Sequence, residues 1–518
     1  MGCDYILYSE AVFTAQEGSP FVGYVAVEGN KINAVEKEHE PKAELVDTHT
    51  KEIDFKDSTL CPGFMDNHTF FMGNMLKTLG IRLSGLNSIE AIISKAIAEA
   101  TPGTTPVYGG GWDSQGWYDA KDLRYIQKMD EAFGERCVVL FDEDRCNALM
   151  TSQAIKIYGF TPEEVYPEAM HKLFRELVSR KEFIKDEFKK FMLFLNERGI
   201  TSIKDIAFDD YLGMYPVLEE MRDKDELSLR VNFSSQIVAQ PASIDFAAMC
   251  KEREQGYFLN FMGFKYMTDG DFDTFEGDLI EPYTNRPDIT FINPVDYDTI
   301  EEETLKLDKK GYRVSIHAEG DRAVRKCVDI FEKCTQENGR RDARHSIIDL
   351  ELSDPSDYKR MKQLDIQAEI YGQLMLLIES EENSFMEQFF GPERACNYLN
   401  YGKMSEAGVR ISIGTDMPLL SASVPESLIA LTGRRFGNRL PAEGWKMESS
   451  MNIDKVLKAW TINGAYFAFK EKVLGTLEEG KLADIAVLSA NVFNTPIGEM
   501  DSVKNIFTMV DGKVVYQG

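Results

Sequence analysis

Four chemically capable side chains stand in or just after short apolar runs. His68 closes CPGFMDNH, His317 closes YRVSIH, Asp416 follows VRISIGT, and Lys265 lies inside FMGFKYM. Imidazole nitrogens and carboxylate oxygens are ligands for a divalent metal, whose presence lets a water lose its proton near neutral pH. A single histidine on a strand is more often a satisfied structural residue, but four such groups ending separate strands point to a shared site. Lys265 is the sharpest clue. An isolated ammonium in an apolar strand is costly, so it must pair with a carboxylate, lose its proton or be chemically modified. Asp349, within HSIIDLEL, poses the same problem with the opposite sign. Of the six histidines, His39, His49 and His171 lie in polar surroundings and are expected at the surface, while His345 sits beside a strand candidate.

These positions need elements to hold them. Short β-rich runs fall at 60–64, 201–206, 229–233, 261–267, 313–318, 345–350, 366–370 and 409–413, and helical patterns at 88–100, 183–198, 323–338 and 357–363. Asn87, with Glu90 three residues on, reads as the N-cap of the first helix. Strands alternating with helices imply a parallel sheet, and about eight of them over this length fit an α/β protein built as a (β/α)8 TIM barrel. In such a barrel the strand C-terminal ends face the active-site mouth, where His68, Lys265, His317 and Asp416 would then lie. Residues 72–195 are too many for one strand-to-helix step and read as an insertion over the mouth, holding helices and the run VYGGGWDSQGWYD. Its GGGWD lacks the Lys-Ser/Thr of a phosphate loop, so Trp112 and Asp113 are expected to line or cap a pocket. Both ends of the chain alternate like strands, with turns at Gly29-Asn30 and Asp511-Gly512, and suggest a small β domain made from the two termini.

The totals bound the partners. The 518 residues hold 86 acidic and 58 basic side chains, a formal charge of −28, which argues against nucleic acid or an anionic membrane. No uninterrupted apolar stretch is long enough to suggest a membrane span, and the start MGCDYILYSEAVFT lacks the pattern of a signal peptide. Eight scattered cysteines without CxxC fit the buried thiols of a reducing compartment, so a cytoplasmic location is expected. The run GRRFGNR at 433–439 is expected to be a solvated charge cluster.

Taken together, these motifs resemble the amidohydrolase superfamily, and within it the YtcJ-like branch that includes N-substituted formamide deformylase. CPGFMDNHTFF is similar to the family's PGFxDxHxH strand, FKYMTDG to KxFxDG, SIHAEGDRAV to HAxGDRAV and ISIGTDMPL to GSDxP; TINGAYF and GTLEEGKLADIAVL resemble its closing helix and strand. The resemblance runs nearly end to end. It implies a (β/α)8 barrel over about 61–471, a composite β-sandwich from 1–60 and 472–518, and metal-dependent hydrolysis of a C–N bond in a small-molecule substrate. It also carries the expectation of a homodimer. Matched position by position, His68 and His317 are metal ligands, Lys265 is the lysine that can be carboxylated to bridge two metals, and Asp416 both binds metal and handles the proton of the hydrolytic water.

Two ligand positions depart from the pattern. Phe70 stands where the first strand carries a second histidine. On the sixth strand, RHSIIDLELSDPSD puts His345 on a non-ligand histidine and Asp349 on the metal histidine. Cys146, in DEDRCNALM, replaces a further histidine expected near substrate. Phe70 would then narrow the pocket or stack on substrate. The extra oxygen donors make Mn²⁺ or Fe²⁺ more plausible relative to Zn²⁺, as one or two ions. Three readings follow: a metal-dependent amide hydrolase, the same fold doing lyase, isomerase or hydration chemistry, or a dead binding protein in which Lys265 pairs with Asp349 or Asp416.

Overall fold

The computed structural model describes residues 2–101, 105–379 and 384–518. At its centre eight parallel strands pair in chain order: β1 (Phe64–Thr69), β2 (Ile200–Phe208), β3 (Arg230–Gln236), β4 (Leu259–Tyr266), β5 (Val314–Ala318), β6 (Ser346–Asp349), β7 (Gln367–Tyr371) and β8 (Ile411–Gly414). Every residue in these strands is buried, as strands covered on both faces must be. The first and last strands meet: the N–H groups of Thr415 and Asp416 donate to His68 O at 3.2 and 2.8 Å, and Thr69 bridges Met417 in parallel. The sheet is therefore a TIM-like barrel.

All eight expected runs correspond to barrel strands, with one displacement. The run 60–64 divides at Gly63. Thr59–Pro62 pairs with the terminal strands Tyr5–Val12 and Ile485–Leu488, and the barrel strand starts only at Phe64. Gly63 permits the switch, because a Cβ there would lie 2.3 Å from Thr201 Cγ2. The first expected helix runs Ile89–Glu99, with Ser88 rather than Asn87 as its N-cap.

Strands from both ends of the chain build one eight-stranded sheet, in which Lys513–Gln517, Asn505–Val510, Ile485–Leu488, Thr59–Pro62, Tyr5–Val12, Phe21–Glu28 and Lys31–Glu36 follow one another and Lys51–Asp54 pairs beside Tyr5–Val12. A bridge between Lys31 and Leu482 brings its far edge back on itself. Arg230, at the start of β3, ties this sheet to the barrel: its Nε and Nη2 donate to the two oxygens of Asp484 at 2.8 Å each, and Nη2 to Asp511 at 3.0 Å.

The segment between β1 and β2 holds more than helices. Ile81–Arg82, Val107–Trp112, Val138–Asp142 and Ala148–Met150 form a separate four-stranded sheet, and GGGW is one of its strands. From this segment it is the stretch around Pro167, Glu168 and Phe174 that reaches the barrel mouth. Of the expected surface groups, His171 is partly buried and pairs with Asp209 at 3.0 Å, and Arg434 is inside, 1% exposed, donating to Leu399 O and Trp445 O. Among the described residues no helix is long and apolar enough to cross a membrane.

Breaking a buried ion pair by removing one partner costs about 3–5 kcal/mol. Arg230→Ala strands Asp484 without its bidentate partner and should lower the unfolding midpoint in urea by a corresponding amount. An unchanged midpoint would show that the barrel and the terminal sheet do not depend on this contact.

Candidate functional site

A cavity of about 480 Å³ opens at the C-terminal end of the barrel, lined from seven of its strands and from the residues just past the eighth. His68 comes from β1, Ile206 and Phe208 from β2, Gln236 from β3, Lys265 from β4, His317 from β5, Asp349 from β6 and Tyr371 from β7, with Asp416 just beyond β8. Strand alternation aims these side chains inward, and the barrel twist brings their ends together.

Two clusters share the floor. In one, His68 Nε2 lies 3.2 Å from Tyr371 Oη, 3.4 Å from Lys265 Nζ and 3.6 Å from Asp416 Oδ1. In the other, His317 Nε2 lies 3.3 Å from Asp349 Oδ2 and 3.4 Å from Glu319 Oε1. The donor atoms of His317, Glu319 and Asp349 all fall within 4.8 Å of one another. Asp349 Oδ1 is buried without a hydrogen-bond partner. A buried carboxylate oxygen left unpaired beside an imidazole and a second carboxylate suits a divalent cation, so these residues fit the metal that the motifs imply.

Neighbouring carboxylates hold the pieces in place. Asp66 accepts from the N–H of His68 at 3.2 Å, and from the N–H and hydroxyl of Thr415 at 3.0 and 2.6 Å, locking β1 to β8. Gly414 makes the approach possible, since a Cβ there would sit 2.4 Å from His68 Cβ. Asp269 accepts from the N–H groups of Glu319 at 2.9 Å, and of Gly320 and Asp278 at 2.8 Å each, fixing the turn that carries Glu319. The backbone is left-handed at Asp349 (φ 80°), Leu350 (φ 63°) and Asp416 (φ 46°), a conformation that costs non-glycine residues energy and clusters at functional sites.

The electrostatics follow from burial. Burial pushes Asp416 up to about 6, with Lys265 opposing and Asp349 adding repulsion; a third of its side chain nevertheless faces the open cavity. Burial lowers Lys265, while Asp416, Glu168, Glu369 and Asp349 pull the other way. His68 is driven well below the ordinary imidazole range by burial and by the two lysines near it, Lys265 and Lys204. His317 goes the opposite way: burial disfavours its charge, but the carboxylates of Asp349 and Glu319 outweigh it and raise the imidazole.

His68, Phe70, Lys265, His317, Asp349 and Asp416 thus all line one cavity. Phe70 packs its ring at 5.0 Å from Phe208 and 5.5 Å from Phe174, forming part of an apolar wall. Trp112, Asp113 and Cys146 do not line it. Trp112 is fully buried in the inserted sheet, where its Nε1 donates to Leu140 O at 2.9 Å; Asp113 caps a local turn through Gln115 N; Cys146 is solvent-exposed. Pairing of Lys265 with Asp349 or Asp416 is also overturned, because among the described residues no carboxylate stands within ion-pair distance of Lys265 Nζ, whose hydrogen-bond contact is with His68. His345 lies at the opposite end of β6, satisfied by Val314 N and Asp308. Glu319 and Tyr371 were not anticipated. Both had a signal: Glu319 follows His317 by two residues, and Tyr371 directly follows the β-rich run 366–370.

Known proteins share this architecture. The family model described as the amidohydrolase family matches residues 51–516. Protein LONG AFTER FAR-RED 3 of Arabidopsis thaliana is 24% identical, covering 99% of this chain and 91% of that protein. The YtcJ protein of Bacillus subtilis is 21% identical over 98% of both chains. Among solved structures, an uncharacterized metal-dependent hydrolase from Pyrococcus horikoshii superposes with a TM-score of 0.75 at 18% identity, over 95% of this chain and 99% of its own.

Removing one partner of a buried hydrogen bond costs about 1–3 kcal/mol. Thr415→Val deletes the shortest donor to Asp66, and the loss should appear as a lower urea midpoint. A variant as stable as the parent would mean that the β1–β8 seam is held by its backbone bonds alone.

Proposed function

Because the chain belongs to the amidohydrolase family, we propose that it is a metal-dependent hydrolase cleaving the C–N bond of a small amide-type molecule. The observation that carries this reading is the convergence of His68, Lys265, His317, Asp349 and Asp416 on the floor of a single cavity. His317, Glu319 and Asp349 would hold a divalent ion there, which would supply Lewis acidity to the carbonyl and the water.

The chain's own residues do the rest. Asp416, a third open to the cavity, is placed to take the proton of the attacking water. As the water oxygen bonds to the carbonyl carbon and the C–N bond breaks, that proton passes to the leaving nitrogen. Tyr371 and Lys265 both address His68 Nε2 and fix the imidazole beside Asp416. Above this polar floor the walls are apolar. Phe70 and Phe208 form one side, and Met267, Leu377 and Leu419 are left 39, 54 and 50% exposed at the rim. Large apolar side chains kept open around a polar floor favour a substrate whose amide carries an aryl or alkyl group.

A positioned general base contributes about 10²–10⁴-fold to rate. On a panel of secondary amides bearing aryl or alkyl groups, Asp416→Asn should lose that factor in kcat while its circular dichroism stays that of the parent. Product formed in ¹⁸O-labelled water should carry one solvent oxygen in its acid half. Turnover without solvent oxygen would replace hydrolysis by lyase or isomerase chemistry, and full activity in Asp416→Asn would remove that residue from the mechanism.

A further inference from the structure

The two clusters on the cavity floor are not equivalent. His317, Glu319 and Asp349 offer three donor atoms that converge within 4.8 Å, and all three residues are buried, at 5, 6 and 4% exposure. The imidazole of His317 contacts both carboxylates, and Asp349 Oδ1 is buried without a partner. The turn that carries Glu319 is pinned by Asp269, and Thr268 Oγ1 donates to His317 O at 2.5 Å, so the nest is organised by its surroundings before any ligand arrives.

The other cluster is already engaged with itself. The one imidazole nitrogen facing the cavity, His68 Nε2, has both Tyr371 Oη and Lys265 Nζ within hydrogen-bond distance. The next position on that side is Phe70, which supplies no donor atom and whose ring is held by Phe174 and Phe208. His68 and Asp416 form a pair, but among the described residues no third imidazole, thiol or carboxylate joins them at ligand distance. Two carboxylates with one neutral imidazole carry the charge that a single dication balances, and a donor set of two oxygens to one nitrogen suits a hard ion.

We propose that one divalent cation is held by His317, Glu319 and Asp349, a donor set that suits Mn²⁺ better than an imidazole-rich site would, and that Lys265 remains an unmodified amine hydrogen-bonded to His68. This rests on the metal-dependent reading above and narrows it: Glu319 takes the place of a missing imidazole, and the centre lies on the β5–β6 side of the floor. Lys265 then serves as a positioning residue, holding His68, and bridges no metals.

The test uses the full chain, stripped with chelator and dialysed against Mn²⁺. Elemental analysis should give one ion per chain, and titration calorimetry should show Glu319→Gln and Asp349→Asn each weakening Mn²⁺ by at least about 10-fold, while His68→Gln stays within about threefold. The parent protein equilibrated with ¹³C-bicarbonate should show no carbamate resonance. Two ions per chain, a carbamate signal that disappears in Lys265→Ala, or unchanged Mn²⁺ affinity in Glu319→Gln would overturn the assignment while leaving a metal hydrolase in place. A parent chain that binds no metal would overturn both. The stoichiometry and carbamate measurements use the parent chain, so they stand even if a variant fails to fold.

Discussion

The site depends on one carboxylate that never faces it. Asp66 accepts three donors, the N–H of His68 and the N–H and hydroxyl of Thr415, and thereby staples the first barrel strand to the last. A parallel barrel has no turn at this seam, so its closure must come from contacts between residues far apart in sequence. Burial raises Asp66 to about 7 even though its hydrogen bonds from Thr415 and His68 pull the other way. With the seam closed, His68 O receives the N–H groups of Thr415 and Asp416, and the two side chains that follow, His68 and Asp416, end 3.6 Å apart. The distance between two catalytic-site groups is thus set by a structural bond one layer below them.

The same layer carries the barrel's own charge balance. Lys204 on β2 pairs with Glu369 on β7, and Glu369 also accepts from Arg313 at 2.7 Å and Ser346 at 2.6 Å. Two cations on one buried glutamate leave positive charge beneath the floor, which helps to hold His68 neutral. Above it the balance reverses. Glu168, Asp269, Asp271, Glu276, Glu319, Asp349, Glu351 and Asp416 line a cavity in which Lys265 is the lysine. Of these, Glu319 and Asp349 are buried beside His317, and their negative charge favours the charged form of its imidazole. A dication answers the same demand and frees the imidazole to act as a ligand.

How much of this was legible in the sequence depended on distance along the chain. The strand-end rule found His68, Lys265, His317, Asp349 and Asp416, because a short apolar run followed by a polar residue is a local pattern that the barrel converts into convergence. Gly63 hid the first boundary: one apolar run serves two sheets there, and only the approach of Thr201 marks the change. Trp112, Asp113 and Cys146 were misplaced for the opposite reason. For the first two, aromatic and glycine-rich composition suggests a pocket, but the inserted segment uses it for its own core, where Trp112 packs at 4.9 Å from Tyr118 and 5.6 Å from Trp117; Cys146, expected near substrate only from the resemblance, is solvent-exposed. Composition records that a residue is buried, and cannot record in which of two cores.

The two ligand substitutions that separate this chain from the pattern it resembles act as a pair. Phe70, just past β1, puts a ring of an apolar wall where the pattern has a donor, and Asp349 on β6 puts a carboxylate without a partner on Oδ1 where the pattern has an imidazole. Either alone would leave a defect: a metal position short of one ligand, or a buried carboxylate without a counter-charge. Together they shift the polar centre toward β5 and β6 and give the vacated side to apolar surface. Glu319 completes that shift, since it is held by Asp269 on the same side as Asp349 and 3.4 Å from His317. The consequence for the proposed chemistry is directional: with proton handling by Asp416, just beyond β8, and a metal held on β5 and β6, a substrate carbonyl would lie between them with its apolar group against Phe70.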